Sequence, residues 1–254
     1  GSATIIKLEQ NYRSTKTILD AAWSVVSKNI NRAKKKLWTD NVNGDLLEIV
    51  ESPDERFESK EVLKRILKLK DKFNEVAILY RTNSQSRVIE DELRKSAIPY
   101  HIIGGIKFYD RKEIKDILSY IKILINEKDD ISFDRIINFP SRGIGKTTLE
   151  KIHIYAKGNN CSCYSVLGKI NDLDISLKQK KTISLFYKML KLNKERLLTD
   201  LGSTIIKDLL KDIKVKSFHL DKNTSEAYDR WDNIKELISS IEEFEELKKE
   251  SNLS

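Results

Sequence analysis

The sequence predicts an α/β fold in which a parallel sheet, confined to the first hundred or so residues, is followed by an all-α region. Three observations predict it. Up to about residue 105 short apolar runs alternate with amphipathic stretches, from 111 onward only the amphipathic stretches remain, and Gly104 and Gly105 stand at the change. Alternating strand and helix signals mark a sheet covered by helices, whereas an unbroken helical series marks a helical domain. Two unbranched residues with free φ can act as a swivel between them. The expected domains are therefore 1–105 and 106–254.

The first strand is expected at 4–8, where Ile5, Ile6 and Leu8 are apolar. A helix over 16–29 follows, with Ile18, Leu19, Ala22, Val25 and Val26 on one face and Ser14 or Thr15 as its cap. Further strands are expected at 47–51 (LEIVE), 75–80 (EVAILY) and 99–103 (PYHII), with helices at 55–71 and 85–97 between them. Beyond the glycine pair, helices are expected at 111–126, 131–138, 147–157, 163–170, 176–198, 203–212 and 224–249. There is no internal repeat and no low-complexity linker.

With 254 residues, 39% hydrophobic and 34% charged, the chain is long enough for two domains that each bury a core. No run approaches the roughly 18 uninterrupted apolar residues of a membrane span, and no secretory leader is recognisable, so the expected location is the cytoplasm. A net charge of +8 suits a polyanionic partner. The charge is clustered at Lys28, Arg32, Lys34, Lys35 and Lys36, and again at Lys178, Lys180, Lys181, Lys188, Lys191, Lys194 and Arg196. A solvated helix face fits each cluster as well as a phosphate track does. The last helix is instead acidic at Glu242, Glu243, Glu245 and Glu246. Cys161 and Cys163 lack partners for a tetrahedral zinc site and read as free thiols near a helix start, and His101, His153 and His219 are too scattered to be ligands, so no metal site is expected. Trp38 and Trp231 read as core or interface residues, and Tyr80 as core.

The segment with most chemistry is LEQNYRS, Leu8 to Ser14, which puts a flat aromatic beside an arginine at a strand-to-helix turn. Tyr12 can cover a purine, and the forked, permanently charged guanidinium of Arg13 can meet phosphate oxygens in pairs. The stretch RTNSQSR at 81–87 lies where strand EVAILY ends and a helix begins, the usual ligand edge of a parallel sheet, although Ser84 or Ser86 would serve equally as an ordinary cap. GIGKTT at 143–148 imitates a phosphate loop, but Pro140 stands where its leading glycine would be and a helix end precedes it. Its two glycines still allow backbone to approach a phosphate, and Lys146 and Thr147 open a helix whose free N–H groups favour an anion.

Four segments, LEQNYRSTKTIL at 8–19, ILYRTNSQSRVIEDEL at 78–93, GGIKFYDRKEIKDILSYI at 104–121 and INFPSRGIGKTTLEKI at 137–152, resemble, in order, motifs of the UvrD/PcrA/Rep family of ATP-dependent DNA helicases. The resemblance implies part of the second RecA-like (P-loop NTPase type) motor domain followed by its inserted all-α subdomain. The phosphate loop, acidic metal pair and second phosphate arginine of such an ATPase are not in the sequence, so this stretch alone is expected neither to bind nor to hydrolyse ATP. By resemblance Tyr12, Arg13 and Gln10 belong to the ATP site, with Arg13 the catalytic contact to the γ-phosphate and Asn11 supporting the turn. Arg81 and Asn83 hold the single strand. Arg142, Gly143, Ile144, Gly145, Lys146 and Thr147 meet duplex DNA, and Gly104 and Gly105 form the hinge. The cofactors implied for the whole enzyme are ATP and Mg2+, the partner is single-stranded and forked DNA, and the polarity is 3′ to 5′. Two other readings stay open: a regulatory module docking a repair or transcription protein, and part of a nuclease-fused recombination helicase.

Overall fold

In the computed structural model, which describes residues 6, 8–30, 35–69 and 72–251, helices form where apolar residues recur every three or four positions. The chain divides into two compact units, residues 1–58 and 59–254. In the first unit, α1 (Lys16–Val26) buries Leu19. Thr15 occupies the cap position without a side-chain hydrogen bond. A returning loop takes over the capping: the amides of Lys16 and Thr17 donate to the carbonyls of Val42 (3.3 Å) and Asn43 (3.2 Å), and the Thr17 hydroxyl donates to the Asn43 carbonyl (2.6 Å). Gly44 makes this return tight, since at φ +73° it brings its backbone so near that a Cβ would lie 2.7 Å from Thr15 Cγ2. α2 (Glu55–Lys68) opens on Asp54, whose Oδ1 accepts the amides of Arg56 and Phe57, both at 2.9 Å. From Ser59 on, α2 belongs to the second unit.

The second unit continues with α3 (Ser86–Lys95), α4 (Lys112–Ile125), α5 (Asp130–Ile136), α6 (Lys146–Gly158), α7 (Cys163–Leu167), α8 (Leu177–Arg196), α9 (Gly202–Asp212), α10 (Val215–Leu220) and α11 (Ser225–Ser251). Its main core is built round α4, where Ile114, Ile117, Tyr120 and Ile123 fall at helical spacing and are fully buried. Phe133, Ile136, Ile152, Ile183, Leu190, Ile205, Leu209 and Ile234 close round them. Burial of each such side chain stabilises by roughly 1.5–3 kcal/mol. α10 was not expected from the sequence: six residues after Lys214, itself left-handed at φ 54°, are too short for a periodic signal. The helix expected over 163–170 stops at Leu167, and a 3-10 turn at Ile170–Asp172 takes its end.

The expected sheet is the main correction. Among the described residues no strand ladder forms, and the only pairing is a parallel bridge between Gln10 and Trp38. Most of 4–8 lies outside the described residues. The segment 75–80 shows why the pattern misled: Val76, Ile78 and Tyr80 are partly buried while Ala77 and Leu79 are exposed, the alternation of a strand. Val76 and Ile78, with Tyr100, pack on a small core of Ile66, Leu93 and Ile98 from α2, α3 and the turn after it. One face is thus covered, but among the described residues no neighbour supplies the N–H and C=O groups that make a ladder. Ile49, Leu79 and Ile103, at 96%, 90% and 96% exposure, are left bare.

Candidate nucleotide and nucleic-acid sites

The Tyr12–Arg13 turn is held rigid from below and bare above. Asn11 Oδ1 accepts the amides of Arg13 (3.0 Å) and Ser14 (2.8 Å), closing the chain into α1. Gln10 Nε2 donates to Asp40 Oδ2 (2.9 Å), and the Tyr12 hydroxyl donates to Gln10 Oε1 (2.7 Å). Asn41 Nδ2 donates to the Ser14 carbonyl at 3.2 Å, and the Asn11 amide to the Trp38 carbonyl at 2.8 Å. Tyr12 remains 79% exposed and Arg13 is exposed beside it. The turn therefore presents an aromatic ring and a forked cation to solvent from one fixed backbone. Asp40, Asn41 and Gly44 were missed in the sequence because a loop about thirty residues away has no local signal. Trp38, expected as a core or interface residue, is not buried in a core: it is 49% exposed and pairs through its backbone.

Arg81 and Asn83 lie on a cleft of about 440 Å³ shared with Tyr80, Thr82, Ser225 and Asp229. Tyr80, expected in the core, is only partly buried and lines this cleft. The turn is stiffened by Gln85 Oε1, which accepts the amides of Arg81 (2.9 Å) and Thr82 (3.0 Å) in a capping box whose first member is Thr82, not Ser84 or Ser86. Ser86 turns instead into a buried polar knot. Its hydroxyl donates to Glu90 Oε1 (2.9 Å) and accepts from Arg111 Nη2 (2.8 Å); Arg111 Nη1 reaches Asn233 Oδ1 (2.8 Å), and Asn233 Nδ2 reaches Glu113 (2.7 Å). Next to it the Arg87 guanidinium meets Glu236 at 2.6 Å and Glu243 at 3.1 Å. Burial works against the Arg87 charge, but these two carboxylates outweigh it and raise its pKa. Burial and the hydrogen bond to Glu90 push the Tyr100 hydroxyl up to about 12. The knot spans the expected hinge: Gly104, at φ +75°, has open space around it, whereas a Cβ on Gly105 would touch Ile102 at 3.2 Å.

The Gly-Ile-Gly loop joins α5 to α6. Gly143 is left-handed at φ +71°, Gly145 is the cap of α6, and a Cβ on either would meet nothing within 4 Å, so the outer face is open. Ile144 is buried and anchors the loop, while Lys146 and Thr147 are exposed at the first turn of α6. Arg142 points inward. Its Nη1 donates to the carbonyls of Ile136 (2.9 Å) and Phe139 (2.8 Å), its Nη2 to the Tyr120 hydroxyl (2.6 Å), and the fork lies 4.2 Å from the Phe186 ring centroid.

Of the basic clusters, Lys180 donates to the Asn171 carbonyl (2.7 Å), Lys194 pairs with Glu127 and Arg196 pairs with Asp200 and Asp208 at 2.7 and 2.8 Å. Arg32 and Lys34 lie outside the described residues. The acidic helix face is used internally as well: Glu245 accepts from the Ser203 amide (3.0 Å) and Glu242 pairs with Lys207. Folding also brings together residues that looked unrelated, for Cys163 Sγ lies 3.2 Å from His153 Nδ1, and His153 Nε2 lies 2.7 Å from Asp134. Burial, then the charge of Asp130, pushes this thiol up to about 12, which makes it inert.

A helical unit that carries a glycine loop at a helix start, joined to a turn presenting Tyr12 and Arg13, falls into a known class. The profile of the UvrD-like helicase C-terminal domain matches residues 6–254, and the chain belongs to that family. It is 43% identical over 248 residues to the ATP-dependent DNA helicase PcrA of Staphylococcus aureus (strain NCTC 8325 / PS 47), covering 96% of this chain and 34% of that protein. It is 45% identical over 251 residues to the ATP-dependent DNA helicase PcrA of Staphylococcus epidermidis (strain ATCC 12228 / FDA PCI 1200), with the same coverage. The chain thus spans about a third of the length of these curated relatives.

Proposed function

We propose that this chain is the part of an ATP-dependent DNA helicase that supplies one wall of the ATP site, a stretch of the single-strand track and a duplex-binding loop. The observation that carries it is the Tyr12–Arg13 turn, in which four side-chain hydrogen bonds fix a backbone whose ring and guanidinium face outward. A ring held this way suits the face of adenine. An arginine reaching a γ-phosphate bound on another domain stabilises transition-state charge only when the cleft closes, so hydrolysis becomes coupled to domain motion. Mg2+ is the metal the whole ATPase would use with ATP, and among the described residues no group of three or more His, Cys, Asp or Glu is placed to hold it.

Residues 1–105 are assigned to a RecA-like domain whose sheet other parts of the protein complete, and 106–254 to the helical subdomain, with Gly104 and Gly105 as hinge. The half-covered segment 75–80 supports this, because it already has the side-chain alternation of a strand. Arg81 and Asn83 hold the single strand by charge and hydrogen bonds at the cleft they line. Gly143 to Thr147 meet the duplex by backbone and lysine contacts that carry no base information. Translocation 3′ to 5′ on DNA is the working direction. The test is ATP hydrolysis and unwinding of a 3′-tailed duplex by the full-length protein, with and without Tyr12→Ala. Unwinding of the 3′-tailed duplex and an ATP KM raised by the substitution support the reading, and an unchanged KM defeats the assignment of Tyr12.

A further inference from the structure

Sequence pattern places Arg142 among the duplex contacts, but its geometry points elsewhere. Of the five N–H donors of a guanidinium, those on Nη1 and Nη2 of Arg142 are directed at the carbonyls of Ile136, the last residue of α5, and of Phe139, and at the hydroxyl of the fully buried Tyr120. Tyr120 in turn donates to the Phe139 carbonyl, so ring, carbonyl and guanidinium close one circuit. The positive charge also sits at the negative end of the α5 dipole, and the Phe186 ring covers its face. Both terminal nitrogens are thus engaged within the protein, while the rest of the partly buried side chain borders a cleft of about 970 Å³. The backbone of the loop is held separately, by Asn138. Its Oδ1 accepts the amide of Arg142 at 2.7 Å and that of Ile144 at 3.2 Å, bracketing Gly143. Two amides of one turn are thereby fixed to one oxygen, with Ile144 buried beneath and Gly143 open above.

We propose that Asn138 and Arg142 are positioning residues that hold the Gly143–Gly145 loop and the start of α6 in the shape that meets phosphate, and that Arg142 does not itself touch DNA. This rests on the duplex-binding reading given above. On this view Lys146 contributes the charge, Asn138 sets the loop, and Arg142 fastens the loop to α5 and α4.

The 254-residue chain is titrated onto a short blunt DNA duplex by fluorescence anisotropy over a range of salt concentrations. Four proteins are compared: the unaltered chain, Lys146→Ala, Arg142→Gln and Asn138→Ala. Loss of a phosphate contact lowers the steepness of the log affinity against log salt plot by about 0.9, whereas loss of positioning weakens binding at every salt concentration alike. Lys146→Ala should show the first behaviour. Arg142→Gln and Asn138→Ala should show the second, each weakening binding about tenfold with the slope unchanged. Asn138→Asp, which keeps the accepting oxygen, should hold the Arg142 and Ile144 amides against hydrogen exchange while Asn138→Ala lets them exchange. A slope for Arg142→Gln reduced as much as that for Lys146→Ala makes Arg142 a phosphate ligand and overturns the proposal. Full affinity in Asn138→Ala overturns it too, including where Arg142→Gln fails to fold. If the unaltered chain does not bind the duplex at low salt, the duplex-binding reading itself falls.

Discussion

Arg13 and His219 are two residues whose environments lead to opposite uses. Arg13 is exposed on a fixed turn, and in the full-length helicase Arg13→Ala should lower steady-state ATP turnover by on the order of a hundredfold or more, as removal of a phosphate-clamping arginine does. Turnover within a few-fold of the unaltered enzyme would remove it from that role. His219 is 3% exposed, its Nε2 is buried without a hydrogen-bond partner, and its ring packs edge-on against Phe218 at 5.2 Å. Burial, helped by Arg230 and Lys222 and opposed by Glu113 and Asp116, lowers its pKa below the ordinary value of about 6.5. The unfolded chain therefore takes up this proton first as pH falls. Stability from neutral His219 is present above about pH 6.5 and is lost as pH drops from there toward the folded pKa. Thermal melting between pH 7.5 and 5 should show a falling Tm that His219→Phe flattens, and identical pH profiles would refute the assignment. Neither role was visible in composition: Tyr12 and Arg13 were legible as a dipeptide with a chemistry, but His219 was one scattered histidine until packing enclosed it.

At the scale of elements, α3 meets α11 through the buried Arg87, which faces Glu236 and Glu243, beside the Arg111 link between Ser86 and Asn233. Arg87 is 3% exposed, so Arg87→Ala leaves Glu236 and Glu243 facing each other without it and should destabilise the chain by about 3–5 kcal/mol in urea unfolding. A loss under 1 kcal/mol would mean that the Arg87 ion pairs hold little. The glycine loop gives a cleaner probe of close approach. Gly145 has φ −87°, which alanine adopts without strain, and a Cβ there meets no protein atom. On the proposed duplex contact, Gly145→Ala should weaken binding to duplex DNA by roughly tenfold, with single-strand affinity unchanged, because a phosphate would collide with the new methyl. Equal losses on both substrates in filter-binding titrations would indicate misfolding. Helix positions were readable because a 3.6-residue repeat is local; α10 was not, because six residues hold less than two turns.

At the scale of the whole molecule, the bare apolar residues of the expected strands predict behaviour in solution. Ile49, Leu79 and Ile103 are almost fully exposed on segments whose backbone has no ladder partner among the described residues. Such segments invite pairing between copies. Light scattering should therefore show a mass that rises with concentration, and Ile49→Lys combined with Leu79→Lys should return it to that of one chain. A strictly monomeric chain at high concentration would count against unsatisfied strands as the cause. No helix among the described residues is long and apolar enough to cross a membrane, so these exposed residues are not part of a helical span.

The sequence by itself determined the helical order of the second unit, the glycine loop before α6 and the Tyr12–Arg13 turn, since each is written in neighbouring residues: a repeat, a positive-φ glycine, an aromatic beside a cation. Tertiary structure alone decided that the terminal nitrogens of Arg142 turn inward, that Asn138 accepts two amides of the glycine loop, that Asp40 and Asn41 brace the Tyr12–Arg13 turn, and that Glu243 belongs to Arg87, a residue 156 positions away. It also decided that strand-like alternation at 75–80 stays without a ladder. Side-chain alternation is a property of one segment, whereas a hydrogen-bond ladder and a buried ion pair are properties of two.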